Sequence, residues 1–129
     1  MKSRKLDART TVYLNVSRRY AFREKMGLFF EQFDLLLTPT LPVAAFDVGL
    51  NAPPDLPNHN LVSWVSYTYP FNLTGQPAGS VPVGFTREGL PVGLQLVAKA
   101  GRETDIFRVA AAYEASSPWV NLRPPAITF

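Results

Sequence analysis

Residues 80–98 read Ser-Val-Pro-Val-Gly-Phe-Thr-Arg-Glu-Gly-Leu-Pro-Val-Gly-Leu-Gln-Leu-Val-Ala. Ser80 to Phe85 predicts a strand. Thr86-Arg87-Glu88-Gly89 predicts a turn in which Gly89 is free to take positive φ. Pro91 to Ala98 predicts a second strand, and its two-residue period puts Val92, Leu94, Leu96 and Ala98 on one face. Pro82 and Pro91 have no N–H to give to a ladder, so they belong at strand starts, edges or bulges.

Upstream, Phe71 to Gly79 carries Gly75, Pro77 and Gly79 and predicts a turn. Leu61 to about Tyr69 predicts a short helix that ends at Pro70. The loop at 43–60 is long and punctuated by Gly49, Pro53, Pro54 and Pro57, and loops of that length are often functional or face a partner. Asp34-Leu-Leu-Leu-Thr38 is an apolar run stopped by Pro39, which suits a strand buried on both faces. From about Thr10 to Phe33 the spacing predicts one amphipathic helix. Val12, Val16 and Tyr20 recur at four, and Phe22, Met26, Phe29, Phe30 and Phe33 continue the stripe. Downstream, Thr104 is placed to cap a last helix, with Asp105 in its first turn. Ile106, Val109, Ala110 and Tyr113 share one face of that helix, and Pro118 ends it.

The bulk numbers bound the function. The chain has 129 residues, enough for at most one domain with a real core. Apolar residues make up 47% and charged residues 18%, a globular rather than a disordered composition. With no cysteine there is neither a disulfide framework nor a thiol nucleophile, and His59 as the lone histidine excludes a histidine-rich metal site. No cofactor and no metal are expected. The apolar runs are too short to span a bilayer, and the basic N-terminus lacks the apolar core of a signal peptide, so the expected location is the cytoplasm and no membrane partner is expected. The net charge of +3 is uneven: residues 1–33 hold eight Lys/Arg against three Asp/Glu, and residues 34–129 hold five against seven. The basic segment reads as a solvated helix face, with 1–9 as a flexible basic terminus; a nucleic-acid partner is the other meaning such a segment can have.

Three blocks carry a resemblance. Asp34-Leu-Leu-Leu-Thr-Pro-Thr40, Asn72-Leu-Thr-Gly-Gln-Pro-Ala-Gly-Ser-Val-Pro-Val-Gly84 and Gly89-Leu-Pro-Val-Gly-Leu-Gln-Leu-Val97 resemble, in order, the D-x-L-L-x-P-T, N-L-x-G-x-P-A-x-S-V-P-x-G and G-L-P-V-G-L-Q-x-[VI] segments of the amidase signature family. The resemblance spans roughly residues 10–125 and is to the family's C-terminal portion, so the whole of 1–129 reads as a single partial domain. It implies an α/β fold: a mixed β-sheet flanked by helices on both faces. It also implies amide hydrolysis by a serine nucleophile, bridged through a second serine in a cis peptide to a lysine base. A serine is a poor nucleophile unless a base lies within hydrogen-bond reach.

In the family those catalytic residues sit in a Gly-Ser-rich stretch that this sequence does not contain. Gly79-Ser80 belongs to a strand entry, and Lys2, Lys5, Lys25 and Lys99 sit on a terminus, a charged helix face and a strand end. No catalytic residue is therefore assigned. Trp64, Thr68 and Phe71 stand at i, i+4 and i+7 and would share one helix face; the resemblance implies a wall of the substrate pocket there, and core packing is the other reading. Asn72 reads either as a pocket residue or as a turn-stabilising Asx side chain. The stretch Ser63-Trp64-Val65-Ser66 lacks the aspartate that the amidotransferase branch places before its N-L-x-G block, which favours an amidase-like relative.

Two functions follow as expectations. In the first, the chain is a C-terminal fragment of an amide-hydrolysing enzyme, inactive alone, that takes a small amide substrate only when completed by the N-terminal amidase half. In the second, it is a non-catalytic assembly or tRNA-binding remnant of the amidase-like component of a glutamyl-tRNA(Gln) amidotransferase. Either way the phenylalanine-rich helix and the Leu35-Leu36-Leu37 run would leave apolar surface that self-association could cover.

Overall fold

The most regular alternation in the chain, Pro91–Ala98, becomes the middle strand of a three-stranded antiparallel sheet. The computed structural model describes residues 7–54, 56 and 62–117. In chain order the elements are α1 (Ala8–Phe29), β1 (Leu35–Pro39), a 3-10 turn (Ser63–Val65), α2 (Tyr69–Thr74), β2 (Ala78–Phe85), β3 (Pro91–Ala98) and α3 (Glu103–Ser116). The sheet order is β1-β3-β2.

A tight turn joins β2 to β3, which requires them to run antiparallel. Gly89 there takes φ 83°, and the Thr86 hydroxyl accepts from the Glu88 and Leu90 N–H groups, each at 3.2 Å. The prolines of β2 and β3 lie where a missing donor does no harm. Pro91 is the first residue of β3, and Pro82 adjoins the register irregularity between Pro82 and Gly84. β1 lies on the other edge of β3, with Leu35 opposite Ala98 and Pro39 opposite Leu94. Among the described residues the sheet is thus antiparallel throughout rather than mixed. β3 lies between β1 and β2 and runs antiparallel to both, so the two strands that share a direction are never neighbours.

Helices cover both faces. On one, Leu96, Ala98 and Ile106 of α3 form a buried cluster, with Leu35, Val81, Leu94 and Ala110 against it. On the other, Val97 meets Met26 and Phe30 of the α1 end and Phe71 of α2, flanked by Phe22, Phe29 and Leu36. The Phe29 and Phe30 rings meet edge-on at 5.1 Å. Each fully buried side chain of this size stabilises by roughly 1.5–3 kcal/mol. The Arg19 guanidinium donates to the Leu73 carbonyl at 2.5 Å, tying α1 to the last turn of α2.

Several expectations change in three dimensions. The helix expected over 61–69 and ending at Pro70 is instead a 3-10 turn followed by a helix that starts at Tyr69, with Pro70 in its first turn and Gly75 (φ 77°) closing it. The proline that blocks a helix interior is harmless at its start, where its N–H has no acceptor to lose. Leu61 lies outside the described residues, as do Pro57 to Asn60 and Pro118. The Leu35-Leu36-Leu37 run is not buried on both faces: β1 is an edge strand, α3 packs on β2 and β3, and Leu37 is 55% exposed. On α1, which begins at Ala8, only the C-terminal half of the stripe packs; Val16 and Tyr20 are exposed. A 22-residue helix is about 33 Å long, and an eight-residue strand spans about 27 Å, so α1 overhangs the sheet it packs on. Thr104 does not cap α3. Arg102 takes that position, and its guanidinium holds the buried Asp105 carboxylate at 2.7 Å in the first turn, where a negative charge is favoured by the helix dipole.

Candidate functional site

The face of the sheet shared with α1 and α2 changes character along its length. Strand register stacks it in rows: Leu36, Val97 and Ala78, then Thr38, Gln95 and Ser80, then Thr40, Gly93 and Pro82. In the first row Leu36 and Val97 are covered by the helices, whereas Ala78 is exposed. The second and third are polar or small and lie beyond them.

Gln95 is the anchor of the middle row. Its side chain is buried at 3% exposure, and its Nε2 donates to Thr38 Oγ1 and to the Tyr67 carbonyl, both at 2.9 Å. The amide thereby joins β3, β1 and the segment that leads into α2. Thr68 Oγ1 donates to the Val65 carbonyl at 3.1 Å, fixing the turn between the 3-10 segment and α2. Phe71 is buried against Met26, Phe30 and Val97, and Asn72 on the same helix is exposed.

Between the second and third rows two hydroxyls meet over a glycine. Thr40 Oγ1 and Ser80 Oγ are 2.6 Å apart, and the Thr40 N–H donates to the Gly93 carbonyl at 2.9 Å. A Cβ on Gly93 would lie 2.7 Å from Thr40 Oγ1 and 2.8 Å from Ser80 Oγ, so glycine is what lets the two hydroxyls cross the central strand. The pair divides two clefts. One, of about 440 Å³, is walled by Thr68, Phe71, Asn72, Gln76 and Gln95 with Thr40 and Ser80. The other, of about 580 Å³, is walled by the 41–45 segment with Pro82, Pro91 and Val92, again with Thr40 and Ser80. Both volumes fall in the range of small-molecule sites. No ionisable side chain lines either cleft among the described residues.

Of the sequence-derived wall residues, Thr68, Phe71 and Asn72 come together in the smaller cleft. Trp64 does not join them. It lies in the 3-10 turn, packs edge-on against Phe46 with ring centroids 5.6 Å apart, and its Nε1 is buried without a hydrogen-bond partner. The i, i+4, i+7 relation fails because no continuous helix links 64 to 71. Lys25 and Lys99 are exposed, away from both clefts, and Ser80 Oγ pairs with a threonine rather than a base. Sequence reasoning does not single out Thr40, Ser80, Gly93, Gln76 or Gln95 as site residues. A glycine inside a strand is the one local sign of a close approach there.

The chain matches the Amidase family over residues 1–107. It belongs to that family. A Rhodococcus erythropolis acylamidase is 39% identical over 119 residues, which is 86% of this chain and 25% of that enzyme. The putative amidase AmiC of Mycobacterium tuberculosis is 38% identical over 116 residues, covering 88% of this chain and 24% of that protein. The solved structure of a 6-aminohexanoate cyclic dimer hydrolase with its substrate superposes with a TM-score of 0.79 at 31% identity, over 94% of this chain and 27% of the hydrolase. The chain therefore spans about a quarter of the length of these relatives. Among the described residues, no helix is long and apolar enough to cross a membrane.

Proposed function

We propose that this chain is the C-terminal portion of an amide-hydrolysing amidase-family enzyme and that it supplies one wall of the substrate site. The observation that carries the reading is the polar group of Thr38, Gln95, Ser80 and Thr40, set beside two clefts at the end of a sheet face that α1 and α2 cover only in part. The wall residues are Thr68, Phe71 and Asn72 with the Thr40–Ser80 pair. The nucleophile, its bridging serine and the lysine base come from residues outside these 129.

The uncovered apolar residues support the same reading. Val16, Tyr20 and Leu28 on α1 and Leu37 on β1 are all at least 46% exposed, as expected of surfaces that pack on the rest of a larger fold. That partner is the N-terminal amidase half, and a small amide is hydrolysed only when both parts are present.

The test is turnover and covalent labelling. Loss of a member of a serine-hydrolase triad costs about 10⁴–10⁶ in kcat, so the purified chain should neither hydrolyse an anilide nor take up a fluorophosphonate probe. Co-expression with the Rhodococcus acylamidase lacking its matching segment should restore anilide hydrolysis. A single labelled serine together with turnover by the chain alone would refute the reading.

A further inference from the structure

We infer that the Thr40–Ser80 hydroxyl pair positions a neutral amide whose apolar arm lies in the cleft under residues 41–45 and whose amide group lies in the cleft walled by Gln76. This rests on the proposed function and names the ligand class for that same site.

The hydrogen count comes first. Two hydroxyls bring two protons, and the 2.6 Å contact between Thr40 Oγ1 and Ser80 Oγ uses one. One O–H remains to donate, and it is held at the boundary of both clefts because both residues line each of them. An amide carbonyl is a matching acceptor. The same ligand needs an acceptor for its N–H. Gln76 lines the smaller cleft, and its Oε1 is buried without a hydrogen-bond partner. A buried acceptor left unpaired is costly, and the terminal torsion of a glutamine is soft enough to turn the oxygen toward a donor. The two ends of an amide therefore meet two complementary groups of the protein.

The arm follows from the larger cleft. Leu41, Val43, Ala44, Pro82, Pro91 and Val92 give it an apolar lining. No charged side chain among the described residues lines either cleft, so an ammonium or carboxylate on the arm would lose hydration without gaining a partner. The selected ligand is an uncharged amide with an alkyl or aryl arm rather than a zwitterionic amino-acid amide.

Amide-resonance NMR of the chain, titrated with hexanamide and separately with 6-aminohexanamide, tests this without any turnover. Hexanamide should shift the backbone resonances of 43–45, Gln76 and Gly93, and 6-aminohexanamide should bind about tenfold more weakly. Ser80→Ala should lose only a few-fold, because the freed Thr40 hydroxyl still donates; Thr40→Val with Ser80→Ala should lose about tenfold. Ala44→Trp, at an exposed loop position, obstructs the apolar cleft alone, so hexanamide should then bind no better than acetamide. Equal affinity for the two amides, or full affinity in the double variant, would overturn the inference. Because binding is read directly, this result stands apart from whether the co-expressed pair hydrolyses an anilide.

Discussion

Neighbouring residues of β3 serve opposite ends. Leu94, Leu96 and Ala98 point to α3, where Leu96 and Ala98 are buried against Ile106. Gly93 and Gln95 point the other way, one to a pair of hydroxyls and the other to a threonine and a backbone carbonyl. The first face is held by apolar contact. The second is ordered by directional hydrogen bonds and leaves clefts on either side of them. Order by packing fills space, whereas order by hydrogen bonds can hold side chains in place around a space that remains open.

The largest test of this contrast is on the apolar face. Leu96→Ala removes a side chain with 1% exposure, and the resulting cavity should cost about 2–5 kcal/mol in denaturant unfolding. A smaller effect compares the two glycines. A methyl on Gly93 meets both hydroxyls below 3.0 Å and should cost about 1–3 kcal/mol, with loss of the Thr40–Ser80 bond. A methyl on Gly79, on the α3 face, makes one longer contact, with Ile106 Cγ2 at 3.1 Å, so its cost should be smaller than at Gly93. Equal costs for Gly93→Ala and Gly79→Ala would break the comparison.

The smallest effect lies at the β2–β3 turn, at the rim of the larger cleft. The Thr86 hydroxyl, and then the Glu88 backbone N–H, hold the Glu88 carboxyl below its ordinary value. A depressed carboxyl contributes stability above its unfolded pKa and loses it as the pH falls through the folded value. The change is therefore confined to the acid side of the carboxylate range. Thr86→Val should raise the Glu88 pKa in an NMR titration and flatten this part of the pH profile, with the pH-dependent part of the loss present at neutral pH and absent in acid. An unmoved Glu88 titration would show that the turn acts independently of its charge.

Much of the frame is legible in the sequence. The prolines at 82 and 91 and the glycine at 89 specify where strands start, bend and turn because their backbones permit little else, and the alternation from Val92 to Ala98 names a face. The three motif blocks place the chain in its family. Pro70 misleads because a proline marks a helix boundary without saying on which side the helix lies. Trp64 falls away from Thr68 and Phe71 because spacing is a guide to facing only along an unbroken helix.

The sequence by itself determined the strands, their turn, the family and the apolar residues available for a core, since these depend on local backbone chemistry and on patterns a few residues long. Only the tertiary structure decided that β1 would be an edge, that α1 would overhang the sheet, and that Thr40 and Ser80, forty residues apart, would bond across Gly93. Those outcomes depend on strand order and register, and a shift of one residue in register would send each of these side chains to the opposite face.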